Sequence, residues 1–422
     1  MSLAFLNQLT HLEVRMNQQE VGQLRWEKNR LYFAYSSSFL TQNLWLSPFY
    51  LPLKPGTIEH QDRHFGPLFG LFDDSLPDGW GRLLMARYFR SQGFDLKSAT
   101  PLALLAYLGK NTMGALSYHP PQSQHEIEEV HLAFLARHAQ DIIQGDVDEI
   151  LPLLRRTGGS PGGARPKVLV GIRKEGEQGA HLISGEGQLP STHQPWLIKF
   201  RSLEDDQDTP LVELSYMELA RRAGIEVPKT HGFEADQECF FGIERFDRFW
   251  DGKQWQRTHI HTLGGLIHSN FRVPSCDYED FLKVTRALGK GDQSLLYRAF
   301  KRMVFNYLSH NRDDHVKNLS FMMNAQGDWT LAPAYDLTWS QGPRGEHSMT
   351  IGGEGKNPKV KHLLKLSTLF DLDQTQCLEI IDEVGTALSM WTEVSTSYGV
   401  RSKTQKQIQK VFNELWTHRL EE

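Results

Sequence analysis

The chain opens on short alternating runs. Leu12-Glu13-Val14-Arg15-Met16 alternates apolar and polar positions, the period-two signature of a half-buried strand. Asn17 to Glu20 turns the chain, Val21 to Leu24 resumes the run, and Leu31 to Tyr35 makes a third. After Leu76-Pro77-Asp78-Gly79 the spacing becomes helical at Leu83, Leu84, Ala86 and Phe89. A second short helix is predicted over Pro101 to Leu108, and Met113 to Tyr118 is predicted as a closing strand. His119-Pro120-Pro121-Gln122-Ser123-Gln124 has the composition of a linker, which bounds a strand-rich first domain at 1–120.

Beyond the linker, helices are predicted over 127–138 and 146–156. They lead into the glycine-rich run Thr157 to Lys167 and an apolar strand from Val168 to Ile172. In the next strand Trp196, Ile198 and Phe200 share one face and Lys199 lies on the other. Val212, Tyr216, Leu219, Ala220 and Ala223 form the stripe of a helix over 211–223, with Gly224 as its stop. Cys239 to Arg245 reads as a strand. The chain then turns mostly helical, with a long stripe through Leu296, Phe300, Met303, Val304, Tyr307 and Leu308. That helix ends in Asn311-Arg312-Asp313-Asp314-His315-Val316-Lys317-Asn318. Two short strands around a turn at Asn324 to Asp328 then lead to Pro333-Ala334-Tyr335-Asp336. Ile408, Val411, Phe412, Leu415 and Trp416 give a terminal helical face. No repeat of 20–50 residues is visible. Strands first and helices later is the layout of a two-lobed α+β protein.

Composition narrows the class. Of 422 residues, 39% are hydrophobic, enough for real cores; 46 Lys and Arg against 51 Asp and Glu give a net charge of −5. That balance excludes a nucleic-acid coat protein and an acidic disordered tail, while leaving room for a local basic patch. Cys239, Cys276 and Cys377 are odd in number and lack a C-x-x-C pair, which argues against a disulfide framework and fits a reducing compartment. Neither a signal sequence nor an apolar run of membrane-spanning length is visible, so a cytoplasmic protein without membrane association is expected.

Three constellations carry candidate chemistry. The glycine run leaves several backbone N–H groups uncrowded and so suits an anion, although alone it reads more readily as a flexible surface loop. It is not a P-loop: Gly158 and Gly163 have the right separation, but Ala164 stands where lysine is required. Asp313 and Asn318 lie five apart at the end of a buried helix, with Asp336 eighteen residues beyond Asn318. Phosphoryl transfer to a hydroxyl needs such residues: one carboxylate to accept the proton, and an amide oxygen with a second carboxylate to hold Mg²⁺. A solvated helix end is the plain alternative, and a divalent-metal hydrolase using His310, His315, Asp313 and Asp314 is another. Lys199, central on an apolar strand, could pair with Glu213 at the next helix start and so face the α- and β-phosphates, or it could lie on an exposed strand face with Arg201. The order decides more than any part. Glycine loop, strand lysine, helix glutamate, Asp-x-x-x-x-Asn and a later Asp follow one another as in protein kinases.

These residues resemble the HipA family, the kinase toxins of bacterial toxin–antitoxin systems. The family's Ser-x-x-Gly-Ala-x-x-Lys loop stands here as Ser160-Pro161-Gly162-Gly163-Ala164-Arg165-Pro166-Lys167. Its strand lysine stands as Leu197-Ile198-Lys199-Phe200, its helix glutamate as Glu213-Leu214-Ser215-Tyr216, and its Glu-Arg-Phe-Asp-Arg strand end as Glu244 to Arg248. Asp313 to Asn318 and Tyr335-Asp336 match the catalytic and metal segments, and Leu76-Pro77-Asp78 and Met113-Gly114-Ala115-Leu116 match the first domain. Phosphoinositide kinases share the Asp-x-His-x-x-Asn style.

The resemblance implies a HipA-like α+β fold. A small β-rich subdomain would occupy 1–120, an N-lobe with the glycine loop and strand lysine 121–255, and a helical C-lobe 256–422. It implies a serine/threonine kinase using ATP and Mg²⁺, with Asp313 as base, Asn318 and Asp336 as metal ligands, and Lys199 on the phosphates. Ser160, Gly162, Gly163, Ala164, Lys167, Glu213, His315 and Lys317 complete the nucleotide site. Ser160 matches a self-phosphorylated serine, whose added charge would expel the loop and stop activity. A helix-turn-helix antitoxin like HipB, operator DNA reached through it, and an aminoacyl-tRNA synthetase substrate of glutamyl type are the implied partners. A non-catalytic nucleotide-binding regulatory module and a nucleotidyl-transferring enzyme are the competing readings. The chain departs from the family at His259 to His268, where many members carry a His-Gln-Glu-Asp-type stretch, and at Pro161 and Pro166, which stiffen the loop. It has no Asp-Phe-Gly or Ala-Pro-Glu motif.

Overall fold

In a computed structural model, residues 8–120, 128–145, 154, 162–173, 182–184, 189–273 and 275–418 are described. The first domain is an antiparallel sheet of β1 (His11–Met16), β2 (Gln19–Glu27), β3 (Arg30–Tyr35), β4 (Thr57–Glu59) and β5 (Leu116–His119), ordered β4-β3-β2-β1-β5. The alternation is realised: Leu12, Val14, Leu24, Leu31 and Phe33 are all buried on its core side. The closing strand is shorter than its apolar run predicts. Only Leu116–His119 pairs with β1, because the Gly114 N–H is drawn instead to Asp247 of the following domain at 2.8 Å. The helix Pro101–Leu108 starts where Thr100 Oγ1 accepts from the Ala103 N–H, with proline in the first turn, where its missing N–H costs nothing.

A second sheet runs β10-β11-β9-β7-β8-β6, built from β6 (Glu129–Val130), β7 (Lys167–Arg173), β8 (Leu182–Ser184), β9 (His193–Lys199), β10 (Thr230–Ala235) and β11 (Glu238–Glu244). Val168, Val170, Ile172, Ile198 and Phe200 pack with the helix Leu132–Gln144 on one face. Leu169, Leu197, Phe241 and Ile243 join the main core, with the helix Thr209–Arg222, on the other. The helix predicted over 127–138 is displaced. Glu129–Val130 pairs with β8, and the helix starts only at Leu132 and runs to Gln144, where left-handed Gly145 ends it. The buried stripe Leu132, Leu135, Ala136, Ala139 and Ile142 sets that register. The helix predicted over 146–156 lies outside the described residues, except Leu154.

The helical part holds Tyr278–Leu288, Gln293–Leu308, Val360–Leu369, Gln374–Ser389, Trp391–Ser397 and Ser402–His418. β12 (Arg248–Trp250) and β13 (Trp255–Arg257) form a hairpin. The two strands expected around Asn324 to Asp328 are β15 (Ser320–Met323) and β16 (Trp329–Leu331), and β14 (His259–Thr262) adds a third to their sheet. No helix of the described residues is long and apolar enough to cross a membrane.

Candidate active site

Lys199 ends β9 on the face turned toward the helical part, as the alternation predicts, and its ammonium is buried between two carboxylates. It donates to Glu213 of the helix Thr209–Arg222 and, at 2.5 Å, to Asp336 Oδ1. Burial alone would lower the Lys199 pKa, but the two carboxylates outweigh it and raise it. Arg165 Nη1 stands 3.6 Å from the other Glu213 oxygen, so this buried carboxylate is paired on both sides. Asp336 follows β16 with φ of 57°, a left-handed conformation uncommon outside glycine and typical of constrained functional positions. Burial would raise its pKa; Lys199 and Lys167 instead hold the carboxyl far below the usual carboxylate range.

Lys167 pairs with Lys199 across β7 and β9, bringing two ammonium groups into one wall. Its amine donates to the Gly162 carbonyl, and burial, with Lys199 nearby, pushes its pKa down to about 8. Gly162 and Gly163 line the cleft beside it, whereas Ala164 is exposed. Ser160 lies outside the described residues, and so does the site of the modification expected there.

The segment after the helix Gln293–Leu308 is fixed from below. Asp314 is buried and accepts from Tyr278 Oη at 2.8 Å and the Ser348 N–H at 2.8 Å, with His347 Nδ1 also at 2.8 Å. This turns neighbouring Asp313 outward, where it is exposed; it does not itself line the cavity, but it lies near enough to Asp336 to feel its charge. Partial burial there, with Asp336 and Asp314 near, raises the Asp313 pKa above the ordinary carboxylate value, while His315 opposes the rise. Asn318 Nδ2 donates to the Asp313 carbonyl at 2.8 Å, which turns its amide oxygen away from that carbonyl. Tyr335 Oη donates to the Lys317 carbonyl at 2.7 Å and so fixes the loop against the Asp336 segment. His315, Lys317, Asn318 and Asp336 all line the same cavity as Lys167, Lys199 and the glycines. Asn318, through its amide oxygen, and Asp336, through its carboxylate, could hold a hard divalent cation, and the lysines suit phosphate.

Of the two histidines weighed as metal ligands, His315 lines the cavity and His310 does not, while the histidines of the 259–268 stretch are engaged with the first domain. His259 Nε2 meets the Leu46 carbonyl at 2.9 Å, His261 Nδ1 meets Asp74 at 2.6 Å, and His268 Nε2 accepts from the Gly70 N–H at 3.0 Å. They join the first domain to the helical part. His310 Nδ1 lies 3.0 Å from the Ser340 carbonyl.

Residues 12–119 match the family model of the HipA N-terminal domain, and residues 159–391 match that of the HipA-like C-terminal domain. The chain belongs to the HipA family. Its architecture is that of an ATP-dependent kinase of the HipA toxin type. The fold matches a chain of the solved Shewanella oneidensis MR-1 toxin–antitoxin complex of HipA, HipB and operator DNA. That match has a TM-score of 0.71 over 96% of both chains at 18% identity. "Putative kinase Y4mE" of Sinorhizobium fredii is 26% identical over 88% of this chain and 84% of its own length. A "Putative kinase" of Haemophilus influenzae is 25% identical over 43% of this chain and 53% of its own.

Sequence reasoning passed over three residues that build this HipA-type site. Arg165 sits within the quoted loop, but nothing in its spacing points to Glu213. Asp314 was one of two adjacent aspartates, and only burial tells the anchor from the exposed one. Asp78 lies in a quoted motif of the first domain, yet its carboxylate reaches the glycine loop.

Proposed function

We propose that this chain is a serine/threonine protein kinase that uses ATP with Mg²⁺ and acts as the toxin of a toxin–antitoxin pair. The observation that carries the reading is Lys199 shared between Glu213 and Asp336 in the cleft that the Asp313–Asn318 segment borders. Phosphoryl transfer needs little covalent help from a protein; it needs positioning and charge. Lys199 and Lys167 would hold the phosphates, with the glycine-loop amides beside them. Asn318 and Asp336 would hold Mg²⁺, which neutralises charge on the phosphates when bound. Asp313 would orient the acceptor hydroxyl and take its proton as the hydroxyl oxygen bonds to the γ-phosphorus and the bond to the β-phosphate oxygen breaks, releasing ADP. The raised pKa of Asp313 suits a proton acceptor.

Ser160 is the proposed self-phosphorylation site, where added charge in a phosphate-binding loop would shut the enzyme off. Family resemblance supports an aminoacyl-tRNA synthetase, of glutamyl type, as substrate in the cytoplasm. The Shewanella complex supports a HipB-like helix-turn-helix antitoxin as partner, with operator DNA reached mainly through it. The test is phosphoproteomics after brief induction, comparing wild type with Asp313→Ala. New serine or threonine phosphates on a synthetase and on Ser160, absent from the variant, are expected. Identical phosphoproteomes would leave a non-catalytic nucleotide-binding module as the better reading.

A further inference from the structure

Asp78 precedes the helix Gly79–Ser91 at its N-cap, where an aspartate ordinarily accepts a hydrogen bond from its own helix. It makes no such bond. Its side chain, only 8% exposed, is turned across the domain boundary. One oxygen accepts the Gly163 N–H of the glycine loop, and the other lies 3.7 Å from Lys317 Nζ on the Asp313–Asn318 segment. The residues that follow add two bonds. The Trp80 N–H donates to the Gly163 carbonyl at 3.1 Å, and the buried Trp80 indole N–H donates to the Lys167 carbonyl at 3.0 Å. Gly79 between them has φ of 38° and lies directly against the backbone of Gly163 and Ala164, where a Cβ would collide. The first domain therefore grips the glycine loop by its backbone on both sides of Gly163 and, through one carboxylate, reaches a cation of the opposite lobe.

We propose that Asp78 is a positioning residue for ATP, bracing the loop end from Gly163 to Lys167 against the catalytic segment, so that the first domain is a working part of the nucleotide site. A glycine-rich loop has the most conformational freedom to lose when it closes on a ligand. Bonds already made to Asp78 and Trp80 remove part of that loss before ATP arrives. Asp78 lines the same cavity but has no part in the proposed transfer, so its removal should act on ATP binding more than on turnover. The inference rests on the reading of the cleft as an ATP site, and its test separates the two.

The test compares wild type with Asp78→Ala, Asp78→Asn and Trp80→Phe by two readouts. The first, independent of activity, is amide hydrogen exchange over 162–167. The second is the split of KM for ATP against kcat. Asp78→Ala should accelerate exchange in that segment and raise KM for ATP roughly tenfold or more, the scale of a charge-assisted hydrogen bond. Its kcat should change less. Asp78→Asn keeps an oxygen for the Gly163 N–H and should recover much of both; Trp80→Phe loses only the Lys167 bond and should give a smaller shift. Unchanged exchange in Asp78→Ala overturns the brace, as does an Asn variant no better than the Ala one. Tighter ATP binding in Asp78→Ala also overturns it, since the carboxylate would then be a competitor of phosphate. Absence of ATP turnover in the wild type would instead refute the kinase reading, and the exchange result would still decide the brace.

Discussion

The ammonium of Lys199 stands 2.5 Å from the carboxylate of Asp336, 137 residues further along the chain, and donates to Glu213 at the same time. One strand, one helix and the segment after β16 thereby meet at a single nitrogen. The pairing fixes the direction in which Asp336 faces before any ligand binds, and such preorganisation is the main lever for stabilising charge in phosphoryl transfer. Lys199→Met keeps the length of the stem and removes the charge. It should lower kcat/KM for ATP by about 10²–10³, the cost of losing one preorganised electrostatic group. Lys199→Arg should not rescue, because a planar fork cannot replace a point charge between two carboxylates. Steady-state kinetics with both variants checks this.

Lys167 gives the cleft a pH dependence. With its pKa pushed down to about 8, it is charged below that pH and neutral above it. ATP affinity should therefore weaken as pH rises through 8, and Lys167→Arg, which stays charged, should flatten that limb. Calorimetric titration of ATP between pH 7 and 9 would show it. The linked effect on folding has the opposite sense. A lysine depressed below its ordinary 10.5 costs stability while the folded state must hold it charged, and that cost fades as pH rises from 8 toward 10.5.

Asp247 holds the junction of the domains. Arg245 donates to both of its oxygens at 2.8 and 2.7 Å, Arg248 donates at 2.6 Å, and the Gly114 N–H of the first domain donates at 2.8 Å. Burial would raise its pKa; the two guanidiniums outweigh it and hold the carboxyl well below the usual range. Asp247→Ala leaves buried arginines unpaired and should cost about 3–5 kcal/mol of stability, read from urea unfolding at pH 7. The sign with pH follows from the depressed value. The contribution is fully present above the ordinary carboxylate pKa and is lost as pH falls through the folded one. The Asp247→Ala variant should lack that part of the acid dependence.

Much of this was legible in the chain because short-range pattern and long-range packing agree. Strand alternation placed Lys199 on the face opposite Ile198 and Phe200, and its pairing with Glu213 was one of two readings left open until the structure joined them. The residues of the Asp313–Asn318 segment were readable by type and spacing. What was not readable depends on contacts between segments far apart. Nothing local distinguishes Asp314, buried under Tyr278 and His347, from exposed Asp313. The helix expected from 127 yields to a strand at Glu129–Val130 because β8 offers that segment a partner. The stretch His259 to His268 read only as a departure from the family pattern, and the contacts of His259, His261 and His268 with three different groups of the first domain could not be read locally. Asp78 sits where an N-cap belongs, and only the packed loop shows that its carboxylate points away from its helix.

The most direct measurement is transfer of labelled γ-phosphate from ATP with Mg²⁺ to serine or threonine, by the purified wild type and by Asp313→Asn. Asp313 carries the proposed base role, and its carboxyl is raised by partial burial and by Asp336. The wild type should form phosphoserine or phosphothreonine, and Asp313→Asn should lower kcat by about 10²–10⁴ with ATP affinity changed only a few-fold. Equal transfer by the two proteins would remove Asp313 from the mechanism, and an AMP adduct in place of phosphate would contradict the kinase assignment itself.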